Sequence, residues 1–490
     1  MDAAVIVVGA GPAGLMLAAE LRLSDVPVVL VDRLSQPTGE SRGLGFTART
    51  MEVFDQRGLL PRFGEIETSP VGHFGGLPVD FGVLDGAHFG AKGVPQARTE
   101  AVLTEWAIEL GVDLRRGWEF VGHTELPDGV RAQFVTPDGT ATLRAAYLVA
   151  CDGGRSTVRK AAGFDFPGTA ATLEMFLADV KGCDLRPRPI GESSPGGMVM
   201  AGPLGDGVDR IIVCERGTPP QRRDSPPTFA EVADAWQRLT GESIHHGTGL
   251  WVSAFGDATR QVTQYRRGRV LIAGDAAHIH LPAGGQGLNV SVQDSVNLGW
   301  KLAAVVRGSA PEELLDTYHA ERHPVGARLL MNTRAQGLLF LSGAEMQPMR
   351  DVLTELITYD SVSRHLAGMV SGLDIRYDVG PGDHPLLGRR MPHHELVGEA
   401  GKTSTTELLH PARGVLLDLA DDPALRSVAA KWSDRVRVVT ATPHGAEPGS
   451  SLRGVRVVLV RPDGHVAFTA VRDTETTDLP AALTRWFGPA

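Results

Sequence analysis

The first 32 residues contain the feature that most constrains the fold of this chain. A continuous apolar run, Ala3 to Val8, is followed by Gly9-Ala10-Gly11-Pro12-Ala13-Gly14 and then by a helical pattern to about Leu23. A second apolar run, Val28 to Val31, ends at Asp32, 18 residues after the last glycine of the motif. The glycine motif alone is a weak signal, but strand, motif, helix, strand and acid in this order are typical of a βαβ unit that binds a dinucleotide.

Each position of this motif has a physical reason. Gly9 allows the tight turn, Gly11 lets the backbone approach a pyrophosphate, and Gly14 lets the helix pack closely on the strand. Asp32 suits the hydroxyls of an adenosine ribose.

Two further strand ends carry an acid and a glycine. Tyr147 to Ala150 predicts a strand that leads into Cys151-Asp152-Gly153, and Val270 to Ala273 predicts a buried strand that leads into Gly274-Asp275. An aspartate N-cap is an open alternative for either acid alone. Three such strand ends in one chain favour a single polar ligand at the carboxyl edge of a sheet.

A proline- and glycine-rich loop follows the third strand end. Pro282 and the glycines at 284, 285 and 287 precede a helical pattern that begins near Leu288. Glycines admit backbone N–H groups to a ligand, and a helix N-terminus favours an anion by up to ~2 kcal/mol. The loop could therefore meet the charged edge of a reduced flavin, and an ordinary glycine turn is the alternative.

Two side chains between the first and second strand ends are candidates for the same ligand. Arg42, in Ser41-Arg42-Gly43-Leu44-Gly45, has a guanidinium that suits a phosphate. Gln96, just before the helical stretch Glu100 to Leu110, has an amide that suits a polar cofactor chain. Solvated surface side chains are the open alternative for both.

Composition limits the class of protein. A chain of 490 residues allows two or three domains, and its net charge of -10 offers no electrostatic footprint for nucleic acid or an anionic membrane. No apolar run approaches the ~20 residues of a membrane span, and the N-terminus lacks the basic region of a signal peptide. Cys151, Cys183 and Cys214 form neither a disulfide framework nor a metal-ligand spacing, so we expect a reducing cytoplasm and no metal.

Taken together, the motifs resemble those of the flavoprotein monooxygenases of the aromatic-hydroxylase type. The resemblance rests on G-x-G-x-x-G, on D-G-x-x-S-x-V-R from Asp152 to Arg159, and on G-D-A-A-H from Gly274 to His278. Leu314 to Pro324 resembles the family's L-x-x-Y-x-x-E-R-x-P helix, and His384 to Pro392 resembles its link to a C-terminal domain. Over its whole length the chain is most similar to bacterial aromatic polyketide hydroxylases, particularly those acting on angucycline-type substrates.

The resemblance implies an FAD site and a transient NADPH site. Matched by position, the implied contacts are Gly9, Gly11, Pro12, Ala13 and Gly14 at the pyrophosphate; Asp32 and Arg33 at the adenosine half; Arg42 and Gln96 at the pyrophosphate and ribityl region; Asp275 at the ribityl or pyrophosphate end; Pro282, Gly285, Gln286, Gly287, Leu288 and Asn289 at the isoalloxazine; and Asp152 and Gly153 at both FAD and NADPH. The chain has no second G-x-G-x-x-G, which agrees with a nicotinamide that docks briefly and leaves.

The resemblance also implies an α/β architecture of three domains. It predicts a Rossmann-like FAD-binding domain (residues 1–172 and 269–391), an inserted antiparallel β-sheet substrate domain (173–268, joined by strands from about 71–90) and a C-terminal thioredoxin-like domain (392–490). Short apolar or alternating runs fit the inserted sheet: Phe176 to Val180, Gly197 to Met200, Arg210 to Glu215 and Gly249 to Phe255, with a helix at Phe229 to Leu239. No cysteine lies beyond Cys214, which excludes thiol redox chemistry in the last domain.

The function implied is an FAD- and NADPH-dependent monooxygenase that hydroxylates an angucycline-type polyketide with molecular oxygen, through a flavin C4a-hydroperoxide. Because the cofactor carries the hard step, no catalytic residue is assigned, and we interpret His73, His278 and His280 as ordinary histidines. An FAD-carrying protein that sequesters a polyketide intermediate is the alternative. A flavin halogenase is less favoured, since no two tryptophans lie two positions apart as in W-x-W-x-I-P. A homodimer is left open.

Overall fold

The structure, a computed structural model, describes residues 1–39, 43–65, 67–399, 401–445, 450–471 and 473–490. Arg42, with its predicted phosphate contact, lies outside the described residues. The described part has a mixed α/β fold, as the sequence predicts. None of its helices is long and apolar enough to cross a membrane.

The first sheet is parallel except at one edge. Its strands lie in the order Arg266–Arg267, Val270–Ile272, Tyr147–Ala150, Val5–Val8, Val28–Asp32 and Asp113–Arg116. The central strands are continuous apolar runs because both faces of the sheet are covered. The covering helices include Pro12–Leu23, Gln96–Glu109 and Gln286–Val306, and the first of these contacts the other two.

Smaller sheets and helices complete this part of the chain. An antiparallel meander pairs Gly139–Ala145, Gly129–Thr136 and Glu119–Leu126, and a short sheet pairs Gly168–Thr169, Thr259–Gln261 and His278–Ile279. Gly45–Phe46 pairs with Lys92–Gly93, and Val71–Phe74 forms a hairpin with Leu77–Asp80. The remaining helices here are Ala48–Asp55, Thr157–Ala161, Asp316–Leu341, Gln347–Ile357 and Asp360–Ser371.

An antiparallel sheet occupies the stretch that the sequence assigns to substrate. We call it the substrate sheet; its strands lie in the order Arg188–Ser194, Gly197–Gly205, Val208–Glu215, Glu174–Lys181 and Thr248–Gly256. The helix Phe229–Thr240 packs on one face, with Trp236 completely buried. The hairpin near residue 75 pairs as a separate two-stranded sheet, so strand hydrogen bonds do not connect it to the substrate sheet.

The C-terminal part forms a mixed sheet of its own. Its strands lie in the order Gly401–Ser404, Glu395–Gly398, Val436–Pro443, Gly414–Asp418, Val457–Val460 and Val466–Ala470. The helices Pro423–Ala429 and Leu479–Phe487 pack against it. Trp300 of the long helix Gln286–Val306 belongs to the same apolar cluster, which joins this sheet to the rest of the molecule.

Candidate active site

Four neighbouring strands bring the predicted acids and the glycine turn to one edge of the first sheet. Val8 pairs in parallel with Val31 on one side and with Ala150 on the other, and Ala150 pairs with Ile272. The residues that follow these strand ends are therefore side by side, in the order Asp275, Asp152, Gly9 and Asp32. The carboxyl edge of a parallel sheet is where such folds bind ligands.

The three motif glycines have different surroundings. Gly9 has φ +105°, and a Cβ there would lie 2.3 Å from the Cys151 carbonyl oxygen. A Cβ on Gly14 would lie 1.8 Å from the Gly9 carbonyl oxygen, so strand and helix could not pack as they do. A Cβ on Gly11 would meet nothing within 4 Å. The protein itself needs Gly9 and Gly14, whereas Gly11 faces open space that a ligand can use.

Asp32 fixes the glycine turn. Its carboxylate accepts hydrogen bonds from the Ala10 N–H at 2.7 Å and from the Leu34 N–H at 2.8 Å. Each carboxylate oxygen has a second acceptor site, so these bonds leave capacity for a ribose hydroxyl. Arg33, next in the chain, is exposed.

Asp152 holds the start of the helix Thr157–Ala161. Its carboxylate accepts from the Thr157 N–H at 2.7 Å and the Val158 N–H at 3.1 Å, and the Ser156 hydroxyl donates to it as well. The N-cap residue of this helix is Ser156, whose hydroxyl accepts from the Arg159 N–H, so Asp152 supports the helix start without being its N-cap. Its contact with FAD or NADPH stays a prediction. Gly153 has φ +76° and open space where a Cβ would be.

Asp275 differs from Asp152 because its side chain is exposed between the buried residues Gly274 and Ala276. Arg159 connects these two strand ends. Its guanidinium donates to the carbonyl oxygens of Ala276 and Gly154, both at 2.9 Å. The two acidic loops are thus held in a fixed relation, with the Asp275 side chain exposed. We call the sheet edge at Gly9–Gly14, Asp32, Asp152 and Asp275, together with the loop of residues 282–289, the groove.

The Pro-Gly loop, residues 282–289, joins the third strand end to the helix Gln286–Val306. Gly284 and Gly285 have φ +69° and +64°, a left-handed conformation that favours glycine. A Cβ on Gly285 would meet nothing within 4 Å, and no side chain caps the helix. The loop therefore presents an uncapped helix N-terminus beside open space, which suits an electron-rich ring edge.

Two contacts connect the Pro-Gly loop to the segment around residue 45. The Asn289 side chain accepts from the Thr47 N–H at 2.8 Å and donates to the carbonyl oxygens of Gly45 and Gly285. Its polar atoms are therefore used by the protein, and a direct contact with the flavin stays a prediction.

Gln96 lies near the same loop. Its Oε1 accepts from the Gly43 N–H at 3.3 Å, and its Nε2 donates to Glu100 at 2.7 Å. A Cβ on Gly43 would lie 2.8 Å from Gln96 Oε1 and 3.4 Å from a methyl of Leu288. The fold thus places Gln96 and Leu288, far apart in sequence, next to the same glycine, Gly43.

A buried network supports the Pro-Gly loop from behind. Asp294 accepts from Arg322 Nε at 2.6 Å and from the Gly274 N–H at 3.2 Å, and lies 2.9 Å from His278 Nε2. Burial alone would raise the pKa of Asp294, but Arg322 and His278 outweigh it and lower the pKa. Tyr318 donates to the Ile272 carbonyl oxygen at 2.9 Å. The helix Asp316–Leu341, which carries most of the L-x-x-Y-x-x-E-R-x-P motif, therefore supports the third strand and the Pro-Gly loop.

The other histidines near the loop also have protein partners. His280 Nδ1 donates to the Leu281 carbonyl oxygen at 2.7 Å, and burial lowers the pKa of His280 to about 4, so the ring is neutral at pH 7. Burial also lowers the pKa of His73, whose Nδ1 accepts from the Gly76 N–H. These partners agree with the interpretation of ordinary histidines, and the catalytic role stays unassigned.

The Pro-Gly loop packs against an apolar wall on the substrate sheet. Leu281, just before the loop, forms one buried cluster with Met175, Met198 and Cys214 of the sheet. Methionine side chains are flexible and polarizable, so they adapt to flat aromatic surfaces. The resemblance assigns this sheet to the substrate.

A separate cavity of about 230 Å³ lies along the first turns of the helix Gln286–Val306. It is enclosed by this helix, by the helix Asp316–Leu341 and by the segment 369–378, and Gln286, Gln293 and Asn332 contribute polar groups to its wall. Sequence motifs gave no indication of this cavity.

One group of potential metal ligands occurs among the described residues. Asp55, His88 and His393 have ligand atoms within 4.8 Å of one another. The two imidazole rings stack, with centroids 4.2 Å apart and an angle of 14° between their planes. Because a metal ion lies in the plane of each imidazole that binds it, stacked rings do not direct their nitrogens to one ion.

Several residues around the site carry no recognisable motif. Asp294, Asn332 and Gln336 lie within long helices and become neighbours of the loop only in the folded chain. The one signal in the sequence that could have identified them is an amide or acid among the apolar positions of a predicted helix.

Comparisons with known proteins agree with the groove described above. Residues 2–333 match the family described as the FAD binding domain, and residues 384–490 match the aromatic-ring hydroxylase C-terminal family. The crystal structure of CabE, an aromatic hydroxylase from angucycline biosynthesis, is 69% identical with a TM-score of 0.97, and BexE, studied for oxidation during BE-7585A biosynthesis, is 66% identical with a TM-score of 0.94; each comparison covers 100% of both chains.

A curated relative gives the same picture at lower identity. The 12-dehydrotetracycline 5-monooxygenase/anhydrotetracycline 6-monooxygenase of Streptomyces rimosus is 44% identical over 498 residues, which covers 99% of each protein. Family models and relatives thus span the whole length of the chain. The chain belongs to the FAD-dependent aromatic-ring hydroxylases, the flavoprotein monooxygenases whose solved members include an aromatic hydroxylase of angucycline biosynthesis.

Proposed function

We propose that this protein is an FAD- and NADPH-dependent monooxygenase that hydroxylates an angucycline-type aromatic polyketide. The observation that carries the proposal is the groove itself. An open glycine turn, an exposed acid and an uncapped helix N-terminus lie along one sheet edge, and the apolar wall of the substrate sheet adjoins the Pro-Gly loop.

FAD fits the groove by the chemistry of its donors. The space beside Gly11 accepts a pyrophosphate close to the backbone, and Asp32 has acceptor capacity for the ribose. Asp275 offers an exposed carboxylate to the ribityl hydroxyls, and the loop around Gly285 offers backbone N–H groups to the ring. The remaining matched positions, including Pro12, Ala13, Gly287 and Leu288, complete the proposed contacts.

When bound, FAD supplies the redox chemistry, which by family resemblance is oxygen transfer through a C4a-hydroperoxide. The protein has to place a phenolic ring next to the flavin and keep water away from it. Good orientation of two reactants can remove ~7–11 kcal/mol of the activation barrier. Positioning of the phenol and exclusion of water can therefore account for catalysis without an assigned acid–base residue. The apolar residues Met175, Met198 and Leu281 provide that shielding.

Names of similar proteins support the substrate class. CabE is an aromatic hydroxylase from angucycline biosynthesis, and its sequence identity of 69% extends over the whole chain. NADPH is proposed from the resemblance, with Asp152 and Gly153 as its transient contacts. The C-terminal domain is proposed to be thioredoxin-like with a structural or dimer-associated role, since it has no cysteine.

The decisive experiment is turnover under labelled oxygen. Protein reconstituted with FAD is mixed with NADPH, ¹⁸O₂ and a panel of angucycline-like and anthrone-like phenols, and the products are analysed by mass spectrometry. We expect faster NADPH oxidation in the presence of one class of phenol and one ¹⁸O atom in its product. A protein that stays colourless after FAD reconstitution would contradict the proposal.

The alternative function, an FAD-carrying protein that sequesters a polyketide, gives a different result. It predicts a yellow protein that binds the phenol tightly and returns it without label. Binding measured by quenching of flavin fluorescence, in parallel with the label experiment, separates the two functions.

A further inference from the structure

Three buried carboxamide side chains lie in a row beneath the Pro-Gly loop. Gln286, Asn332 and Gln336 are 4%, 1% and 0% exposed. Gln286 begins the helix that follows the loop, and Asn332 and Gln336 lie one turn apart on the helix Asp316–Leu341. The FAD contacts implied by position include Gln286 but neither of the other two.

A backbone group fixes the direction of the hydrogen bonds in this row. The Gly75 N–H donates to Gln336 Oε1 at 3.1 Å. Because a backbone N–H can only donate, Gln336 must turn its oxygen to Gly75 and its amino group to Asn332. Gln336 Nε2 then donates to Asn332 Oδ1 at 3.0 Å, and Asn332 Nδ2 donates to Gln286 Oε1 at 3.1 Å. We call this chain of bonds the amide row (Gly75 N–H, Gln336, Asn332 and Gln286).

The amide row ends in a free donor. Gln286 Nε2 is buried and has no hydrogen-bond partner among the described residues. It lies 3.1 Å from the position of a Cβ on Gly284, directly under the loop. Leaving a buried donor unpaired costs about 1–3 kcal/mol, and hydrogen bonds in series polarise one another, which makes the last N–H a better donor. Because this atom has almost no accessible surface and Gln286 lines the cavity behind the loop, the row acts on a ligand only through the position of the loop.

The other end of the amide row lies at the substrate side of the molecule. Gly75 is in the turn of the hairpin formed by Val71–Phe74 and Leu77–Asp80. Phe340, one helical turn beyond Gln336, stacks on His73 of this hairpin with ring centroids 6.2 Å apart. The Phe340 carbonyl oxygen also accepts from Ser193 of the substrate sheet at 3.2 Å. The row thus begins where the hairpin, the substrate sheet and the long helix meet.

We propose that the amide row positions the Pro-Gly loop against the flavin, with Gln286, Asn332 and Gln336 as positioning residues. The proposal deepens the proposed function and rests on it in one respect, that FAD is the ligand of the loop. It does not depend on which phenol is hydroxylated.

Near-isosteric variants that cannot pass on the hydrogen bond test the row. Asn332→Leu and Gln336→Met each break it. Thr333→Val is the control, because Thr333 is fully buried on the same helix and donates only within it, to the carbonyl oxygens of Leu329 and Leu330. We expect the Kd for FAD to rise about fivefold in each row variant, as for the loss of one hydrogen bond of about 1 kcal/mol, and the visible absorption bands of bound FAD to change shape. The control should match the wild type in both.

The double variant distinguishes a connected row from two separate packing defects. If Gln336 and Asn332 act through one chain, the double variant should have nearly the same Kd and flavin spectrum as either single variant. Effects that multiply, about 25-fold in Kd, would overturn the proposal, as would row variants whose flavin spectra are unchanged.

Gln336→Glu gives a second test that does not require an apolar substitution in the core. A protonated carboxyl accepts from Gly75 through one oxygen and donates to Asn332 through its O–H, so it preserves the row. Its ionised form can only accept. We expect a flavin spectrum like that of the wild type at low pH and like that of Gln336→Met at high pH, a transition that the wild type lacks. A spectrum independent of pH would contradict the row.

Failure of this inference and failure of the proposed function look different. If the wild-type protein binds FAD but forms no ¹⁸O-labelled product, the proposed monooxygenase activity is wrong. The flavin spectra of the row variants still test the amide row in that case. If the wild type forms labelled product and the row variants have the same Kd and flavin spectrum as Thr333→Val, the proposed function stands and the inference about the amide row is wrong.

Discussion

The helix Gln286–Val306 has two ends that are built in opposite ways. Its first turn follows left-handed glycines, has no side-chain cap and faces open space at Gly285. Its second half enters the charge cluster (Lys301, Glu321, Arg461 and Asp463), where Lys301 donates to Glu321 at 2.7 Å and Arg461 donates to Glu321 at 2.6 Å. All four side chains of this cluster are almost completely buried.

The difference shows how a ligand site can be told from a structural junction in one helix. In the charge cluster every cation has an anion, because an unpaired buried charge is costly. The Pro-Gly loop instead leaves Gly285 beside empty space and Gln286 Nε2 without a partner in the described structure. Pairing of every charge indicates a junction that holds the C-terminal sheet, and open space at an uncapped helix start indicates a place for a ligand. Perturbing the two ends should therefore have opposite consequences.

The largest expected effect is on stability, at the charge cluster. Arg461→Met leaves Asp463 buried without its arginine and leaves Glu321 with Lys301 alone, and removing one partner of a buried pair costs about 3–5 kcal/mol. We expect the urea midpoint to fall accordingly, while the folded fraction binds FAD within twofold of the wild type. Arg364→Met, which breaks exposed pairs with Asp85 and Asp360, is the control and should leave the midpoint unchanged.

The next effect is on cofactor binding, at the sheet edge. Asp275 is exposed, so Asp275→Ala should leave unfolding of the apoprotein unchanged and raise the Kd for FAD at least tenfold, about 1.4 kcal/mol. Asp294→Asn is the contrasting variant. It leaves Arg322 with a weakened partner in the core and should lower stability instead. An unchanged Kd for FAD in Asp275→Ala would show that this acid does not contribute to FAD binding.

A smaller effect is expected at the glycine turn. A methyl group at Gly11 meets no protein atom within 4 Å but occupies the space assigned to the pyrophosphate. Gly11→Ala should therefore weaken FAD binding five- to tenfold, roughly 1 kcal/mol, without loss of stability. Gly14→Ala should instead lower the melting temperature of the apoprotein, because its Cβ would overlap the Gly9 carbonyl oxygen. Equal melting temperatures for the two variants would be inconsistent with the described packing.

The last effect is a pH dependence at the charge-cluster end, which is smallest near pH 7 and grows as the pH falls. Burial lowers the pKa of His465 to about 4, despite the opposing effect of Asp463. The unfolded chain binds a proton at this residue below about pH 6.5 and the folded protein does not, so the free energy of unfolding should fall as the pH decreases from 6.5 to 4, by at most about 1.4 kcal/mol per pH unit. Urea titrations at pH 7, 6 and 5 should show a flatter dependence for His465→Asn, whereas the exposed His245→Asn should not alter the slope.

Local sequence predicted the parts of the site that local geometry dictates. The glycine turn, the strands before Asp32, Asp152 and Asp275, and the helix after the Pro-Gly loop all depend on residues close in the chain, and the structure places them in one row at a sheet edge. FAD contacts assigned to these residues stay predictions.

The parts that the sequence did not reveal depend on long-range contacts. Gln336 meets Gly75 across 261 residues, and Asn332 meets Gln286 across 46. The strand Arg188–Ser194 was also missed, because it contains polar residues and a glycine and lies at the edge of its sheet. An amide inside a helix gives no local sign of its partner, so only the folded chain shows the amide row.

The most direct test of this account is a crystal structure of the protein with FAD bound. The account predicts a pyrophosphate beside Gly11, a ribityl hydroxyl within hydrogen-bond distance of Asp275, and the ring against the Pro-Gly loop at Gly285. FAD found in the 230 Å³ cavity on the inner side of the helix Gln286–Val306, or a ring that does not touch the loop, would contradict it.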